Sequence, residues 1–457
     1  MQATKAADLA ELDDAGVTPF HLKVLLVSGM GFFTDAYDLF IISVVIKILK
    51  DQWSLSATDT AVVDSVATLA SAIGAIVFGR VADMLGRRRI YGLEVLVLAA
   101  GAIACALAPS LWWLVAFRFV LGVGIGGDYP VSATIMSEYS GKRNRGLLVS
   151  LVFAMQAAGL IVGPLLAVAF LSTNVPHEIV WRTLLGLGAV PALAVFYFRR
   201  QIDETPRYKL ANNNHNTASG PPAIQPQTAL DGFVVLLRNR RLLTWLVGAA
   251  GTWLLLDYAY YGNTVSSQLL LGTIDPQKDV RVDTLIQLGI FVVAAAPGYV
   301  LAAWLLDRLG RRNIQIAGFI GMSVCYAAIA LVPGVATAIV PFVVLFGSSY
   351  FFTEFGPNTT TFVYPSEIFP VRVRTTAHGI AASSGKIGAF IGTFALPIVL
   401  DRAGVALAEL SVAVVCVAGA LLTLVLPEPK GQTLEDMTRL SGEADEFASK
   451  PRAQTAA

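Results

Sequence analysis

Arg118-Phe-Val-Leu-Gly122-Val-Gly124-Ile-Gly126-Gly127-Asp128-Tyr129-Pro130-Val-Ser132 runs on to Ser137-Glu138-Tyr139. The stretch lies in an apolar segment that opens at Leu111, and the basic cluster Lys142, Arg143 and Arg145 follows it. Gly122, Gly124 and Gly127 match the dinucleotide fingerprint G-x-G-x-x-G. That motif needs a strand before it and a soluble βαβ unit around it, and the flanking sequence offers neither. A transmembrane helix fits instead. Its glycines let a neighbouring backbone approach. Arg118 and Asp128 then stand at membrane depth, where an ionisable group usually faces a cavity or a partner. Asp128 and Tyr129 are expected to point into a polar cavity.

The composition agrees. Of 457 residues, 55% are hydrophobic and 14% charged, against roughly 25% charged in a soluble domain. The partner implied is the lipid bilayer. A net charge of +1 leaves no basic excess of the kind that marks a nucleic-acid binder. Cys105, Cys325 and Cys416 are far apart in apolar runs and read as buried single thiols. His21, His177, His215 and His378 are scattered. No metal, no cofactor and no enzymatic constellation is expected. The polar, partly acidic N-terminus (Glu11, Asp13, Asp14) lacks the pattern of a cleavable signal peptide, so the first membrane helix is expected to act as the targeting signal.

Apolar runs of about 20 residues, enough to cross a bilayer, fall at twelve places: 23–47, 58–80, 89–109, 111–137, 146–171, 180–198, 242–268, 284–306, 313–333, 336–364, 375–400 and 406–426. The expected fold is an all-α membrane protein of twelve transmembrane helices in two six-helix bundles. Its divisions are 1–198, a cytoplasmic middle loop at 199–241, a second bundle at 242–427 and a cytoplasmic tail at 428–457. The middle loop contains Asn212 to Asn216 and Pro221-Pro222 and reads as a loop with a short amphipathic piece. Lys and Arg mark the cytoplasmic side. With twelve spans, Arg87 to Arg89, Lys142 to Arg145, Arg199 to Arg241, Arg308 to Arg312, and Arg372 and Arg374 share one side. The other side has short or mixed loops (Asp275, Lys278, Asp279, Arg281, Asp283). Both termini are therefore expected in the cytoplasm.

The halves repeat each other. Gly29-x5-Asp35 matches Gly251-x5-Asp257. Asp83-x-x-Gly86-Arg87-Arg88 matches Asp307-x-x-Gly310-Arg311-Arg312. Ser137-Glu138 matches Ser366-Glu367. The offsets are nearly constant: 222, 224 and 229 residues (35 to 257, 83 to 307, 137 to 366). Two parallel halves put a substrate site at mid-membrane between them. Asp35 lies midway between Lys23 and Lys47, with Asp38 about one turn outward. Lys386 lies midway between Arg374 and Asp401. Asp257 is about 24 Å along its helix from Arg241. Asp35, Asp38, Asp128, Asp257, Lys386 and Arg118 thus fall inside the apolar spans. They read either as structural ion pairs, with Arg118 joined to Asp35 or Asp38, or as a transport pathway. Gln156, Asn358 and the i, i+4, i+8 stripe Trp253, Asp257, Tyr261 add polar groups, although aromatics at that spacing are often packing alone. Asn358-Thr359-Thr360 matches a glycosylation sequon by chance at this depth.

Gly79-x3-Asp83-x2-Gly86-Arg87-Arg88 and its second copy resemble the signature loop of the major facilitator superfamily. Asp203-Glu204-Thr205-Pro206-Arg207 and Pro427-Glu428-Pro429-Lys430-Gly431 resemble motifs that follow the sixth and twelfth helices of its sugar-porter-like branch. Gly126-Gly127-Asp128-Tyr129-Pro130-x-Ser132 and the run Gly31 to Phe40 resemble the phosphate:proton symporters. Val131 replaces an expected Leu, and the middle loop is shorter than in fungal and plant members, which leans toward a bacterial origin. The resemblance implies a phosphate site of Tyr129, Gln156, Trp253, Asp257, Tyr261 and Asn358, with Lys386 in or near it. It implies proton handling by Asp35, Asp38 and Asp128, with Asp257 serving both substrate and proton. Arg118 joins the proton-coupling set as a partner for an aspartate of the first helix.

The expected function is proton-coupled import of inorganic phosphate by a monomeric transport unit in the plasma membrane. Asp83, Arg87, Asp307 and Arg311 are assigned to gating, against the alternative that basic loops only orient the chain. A sugar or organic-acid porter and a non-transporting nutrient sensor remain alternatives. An organophosphate exchanger would be expected to clamp its anion with arginines from both halves, whereas only Arg118 is clearly intramembrane.

Overall fold

The computed structural model describes residues 13–14, 16–213, 231–274 and 280–443. Expectations for Asn214 to Asn216, Pro221-Pro222, Glu11, Asp275, Lys278, Asp279 and the tail beyond 443 lie outside the described residues. Among those described, every regular element is helical. The membrane helices are α1 Pro19–Gln52, α2 Ala57–Leu85, α3 Arg87–Ala106, α4 Leu111–Tyr139, α5 Arg145–Leu171, α6 His177–Arg199, α7 Arg240–Ile274, α8 at 280–309, α9 Arg311–Leu331 and α10 Ile339–Ile368. The last long helix, Arg374–Thr423, breaks at Gly404 (φ 74°, ψ 176°) into α11 (374–403) and α12 (405–423). Among the described residues, ten helices are long and apolar enough to cross a membrane. The last of these divides at Gly404 into two helices.

Local chemistry sets the boundaries. α2 starts at a capping box: Asp59 N–H donates to Ser56 Oγ at 3.1 Å, and Ser56 N–H donates to Asp59 Oδ2 at 3.0 Å, so two orphan donors are satisfied. α2 ends at Gly86 (φ 96°) and α8 ends at Gly310 (φ 90°), a backbone region that side-chain-bearing residues rarely enter. The chain turns there into α3 and α9 without a loop. Glu204 accepts from the N–H groups of Arg87 and Arg88 at 3.2 and 3.1 Å. Glu428 accepts from those of Arg311 and Arg312 at 3.1 and 2.9 Å. A carboxylate on the first turn satisfies free donors and complements the helix dipole. The repeat is therefore one of tertiary contacts as well as of sequence.

Glycines set the helix spacing, as expected for α4. A Cβ on Gly126 would lie 1.9 Å from the Ser71 carbonyl oxygen of α2, and one on Gly388 of α11 would lie 2.1 Å from that of Leu254 on α7. In both places the backbones meet because no side chain intervenes. Two expectations are corrected. Arg199 is not a loop residue: it ends α6, fully buried. Arg281 and Asp283 belong to the helix Val280–Ile290, not to a loop. α10 is broken by a π turn at Glu354–Asn358. The middle segment adds helices Pro206–Asn213 and Asp231–Arg238. Cys105, Cys325 and Cys416 are free and buried.

Candidate functional site

A polar cluster lies where six helices converge. α1 supplies Asp35, α4 Tyr129, α5 Gln156, α7 Trp253, Asp257 and Tyr261, α10 Asn358 and α11 Lys386. All but Tyr261, which is partly exposed, are buried. Lys386 Nζ is the centre. It donates to the Tyr129 hydroxyl at 3.1 Å and the Tyr261 hydroxyl at 2.9 Å, and lies 3.9 Å from Asp257 Oδ2. It also stands 4.5 Å from the Tyr129 ring centroid and 4.8 Å from that of Tyr261, so both rings add cation–π attraction. Tyr129 donates its hydroxyl proton to Asp35 Oδ2 at 2.6 Å and accepts from Gln156 Nε2 at 3.1 Å. Trp253 stacks obliquely on Tyr129, ring centroids 6.0 Å apart, and hydrogen-bonds Asp257.

Asn358 joins through Tyr299 of α8. Its Nδ2 donates to the Tyr299 hydroxyl at 2.9 Å, and that hydroxyl donates to Gln156 Oε1 at 3.2 Å. All seven residues expected to bind substrate therefore fall in one neighbourhood, as does Asp35. Asp35 Oδ1 and Asp257 Oδ2 have no hydrogen-bond donor among the described residues. The cluster holds tyrosine hydroxyls, amide N–H groups and one ammonium as donors, with two carboxylates as acceptors. That set can bind a small anion that itself carries protons.

The remaining proton-coupling candidates lie elsewhere. Asp128 is a neighbour of Tyr129 in sequence but points to another face of α4, since successive helix residues do not share a face. It is buried. Its Oδ1 and Oδ2 accept from Arg199 Nη1 and Nη2 at 2.6 and 3.0 Å, and Ser132 Oγ donates to Oδ1 at 2.6 Å. Arg199 also reaches Glu94 Oε1 at 2.7 Å and lies 4.5 Å over the Tyr91 ring. Gly31 of α1 crosses this group so closely that a Cβ would lie 1.7 Å from Asp128 Oδ2. Arg118 does not pair with α1. Its Nε donates to the Val63 carbonyl at 2.8 Å, and among the described residues no ion pair joins it to an aspartate. Asp38 likewise has no hydrogen-bond donor among them and packs under Gly188 of α6.

The four gating candidates meet at the basic end. Asp83 of α2 accepts from the N–H groups of Thr375 and Thr376, on the first turn of α11, at 3.3 and 2.7 Å. Asp307 of α8 accepts from those of Gly146 and Leu147, on the first turn of α5, at 3.1 and 2.8 Å. Arg87 pairs with Asp83 at 3.0 Å and Glu138 at 3.2 Å. Arg311 pairs with Asp307 at 2.8 Å and Glu367 at 2.7 Å. Arg374 crosses to Glu138 at 3.0 Å. Each signature aspartate thus caps a helix of the other repeat.

Residues 29–393 match the model of the Major Facilitator Superfamily. The chain belongs to the major facilitator superfamily. Its relatives include the "Probable inorganic phosphate transporter 1-6" of Arabidopsis thaliana, 36% identical with 96% of each chain covered. Another is the "Low affinity inorganic phosphate transporter 1" of Petunia hybrida, 34% identical with 97% of each covered. Within the superfamily the chain therefore falls among the phosphate transporters. The fold is also that of the proton:xylose symporter XylE bound to 6-bromo-6-deoxy-D-glucose, at 18% identity and a TM-score of 0.77, with 92% of this chain and 98% of that one covered. All three are transporters, not enzymes.

Sequence reasoning passed over Glu94, Glu354 and Glu409, buried acids in apolar helices. The rule that singled out Asp35 would have found them. Tyr299 carries no such signal. Arg199 is held between Asp128 and Glu94, and removing one member of a buried ion pair costs ~3–5 kcal/mol. Arg199→Met is expected to lower the thermal unfolding midpoint in detergent markedly. A triple change of Arg199, Asp128 and Glu94 to apolar residues of similar size is expected to recover most of the loss, by the same measurement.

Proposed function

We propose that this protein imports inorganic phosphate together with protons, by alternating access between bundles 1–198 and 242–427. The observation that carries the reading is the charge balance around Lys386: one ammonium faces two carboxylates, Asp257 and Asp35. With both acids ionised the cluster is net negative and repels an anion. With both protonated it is net positive and attracts one. Desolvation favours the neutral acid, and a phosphate oxygen then takes the place of the Lys386 contacts. Tyr129, Tyr261, Gln156, Trp253 and Asn358 donate to the phosphate oxygens. With Asp35 protonated and Asp257 ionised the cluster is neutral, and Asp257 accepts from a phosphate O–H, which sulfate lacks at neutral pH; sulfate would then leave two anions facing each other and is rejected.

Coupling also has an electrical purpose. Moving one charge through 100 mV is worth ~2.3 kcal/mol, so an anion entering a negative interior is opposed unless more than one proton accompanies it. Asp35, Asp38, Asp128 and Asp257 supply candidate sites, with Arg118 biasing Asp38. The basic end is assigned to the cytoplasm, both termini with it, in the plasma membrane, and the transport unit to a monomer. Asp83, Arg87, Asp307 and Arg311 latch that end while the opposite end opens. Release requires the caps on α5 and α11 to break together, which makes the closed end cooperative.

Purified protein in liposomes is expected to accumulate labelled phosphate when the outside is more acidic. Arsenate should compete, and sulfate and glucose should not. Loss of competition by arsenate with competition by glucose would favour the sugar-porter reading. Asp257→Asn is expected to bind phosphate yet lose gradient-driven accumulation, and normal accumulation by that variant would remove Asp257 from coupling. At matched membrane abundance, Asp83→Ala is expected to lower turnover severalfold with little change in apparent affinity, measured as initial uptake rates. Unchanged turnover would reduce the basic loops to topology signals.

A further inference from the structure

Glu354 is a fully buried carboxylate that the binding cluster does not use. It opens the π turn Glu354–Asn358 of α10, where Gly356 departs from helical geometry (φ −104°, ψ −110°). Pro357 has no N–H to close the preceding turn. Hydroxyls satisfy the freed carbonyls: Thr359 Oγ1 donates to Glu354 O at 2.7 Å, Thr360 to Gly356 O at 3.0 Å and Thr361 to Pro357 O at 2.8 Å. Two glycines close over the turn. A Cβ on Gly298 of α8 would lie 3.0 Å from Glu354 Cβ, and one on Gly318 of α9 would lie 2.4 Å from Gly356 Cα. π turns of this kind are frequent at functional positions.

The turn brings Glu354 and Asn358 onto one face, and Asn358 Nδ2 donates to Glu354 Oε2. The same Nδ2 donates to Tyr299, which continues through Gln156 and Tyr129 to Asp35. One hydrogen-bonded chain therefore joins a carboxylate of α1 to a carboxylate of α10. The groups facing Glu354 are Tyr260 and Asp257 from α7, Tyr299 from α8, and Asn358 and Tyr350 from α10 itself. No cation is among them. Glu354 Oε1 has no donor among the described residues.

We propose that Glu354 is a further proton-carrying site of the transport cycle, charged and discharged by whether Asn358 is engaged with substrate. Asn358 is a donor to the phosphate in the proposed site, and the proposal rests on that reading. Phosphate draws the Asn358 N–H away from Glu354. The carboxylate then keeps its burial and loses one of its donors, leaving the hydroxyls of Tyr260 and Tyr299, and a buried charge is the more disfavoured the fewer hydrogen bonds it keeps. It takes up one proton as phosphate binds and gives it back when phosphate leaves and Asn358 returns. Linkage makes the effect reciprocal: protonated Glu354 frees Asn358 for phosphate. The amides of Asn358 and Gln156 do not relay protons, so the chain reports occupancy between the repeats and is not a wire. The Gly356 break lets α10 move about the same point.

The test counts protons per phosphate in liposomes, from pH-dye and labelled-phosphate fluxes on the same preparation. Wild type is expected to carry more than one proton per phosphate, and Glu354→Gln about one fewer. The steady-state accumulation of Glu354→Gln should then fall about tenfold for each pH unit of gradient. An unchanged proton count in Glu354→Gln overturns the proposal. Phosphate flux without any proton flux in wild type overturns the symport reading and the proposal with it, a result distinct from a deficit confined to the variant. If Glu354→Gln does not fold, Tyr299→Phe, which removes one hydroxyl from the chain and keeps the ring, is expected to reduce the count in the same direction. A wild-type count in that variant overturns the proposal.

Discussion

An ammonium in an apolar interior must be neutralised, and the centre of this protein is arranged around that need. Lys386 has Asp257 on one side and, through the Tyr129 hydroxyl, Asp35 on the other. Asp257 belongs to the second repeat and Asp35 to the first, at matching positions of α7 and α1. The two repeats are thus held to one charge. Any ligand that enters must alter that balance, and a singly charged anion does so with the least change when a carboxylate is neutralised at the same time. In the proposed function, selectivity, coupling and the direction of the electrical force all follow from the number of charges within a few ångströms of one nitrogen.

The basic end uses the same economy of charge for a different purpose. Asp83 and Asp307 each pair with an arginine four residues on and cap a helix of the other repeat. Glu204 and Glu428 cap the helices that begin at those arginines. A carboxylate at a helix N-terminus gains from several N–H groups and from the helix dipole, and that gain ends within the first turn. A displacement of a few ångströms therefore removes it almost entirely. Such contacts are well suited to a seam that opens and closes. The fully buried trio of Arg199, Asp128 and Glu94 has no such freedom: it ties α3, α4 and α6 together inside one repeat.

Much of this was legible in the amino-acid sequence. Charges isolated in apolar runs located Asp35, Asp257 and Lys386, and fixed offsets between markers revealed the duplication. What the sequence did not carry is which charge meets which. Arg118 and Arg199 both follow or interrupt apolar runs. Only the crossing of α4 with α6 decides that Asp128 takes Arg199 and that Arg118 turns to the Val63 carbonyl. Arg199 was read as a loop cation because a basic residue at a helix end and one just beyond it look alike. Tyr299 was illegible for another reason: an aromatic in an apolar helix is usually packing, and its hydroxyl gains a role only where α8 meets α5 and α10. Glu94, Glu354 and Glu409 were legible and were passed over.

The central claim is that phosphate and protons occupy one charge-balanced cluster together. Calorimetry of phosphate binding to the purified protein, repeated in buffers of different ionisation enthalpy, tests it without any transport step. The account predicts net uptake of at least one proton per phosphate bound, with affinity falling as pH rises through the neutral range. Binding with no proton uptake, at an affinity independent of pH, would contradict it.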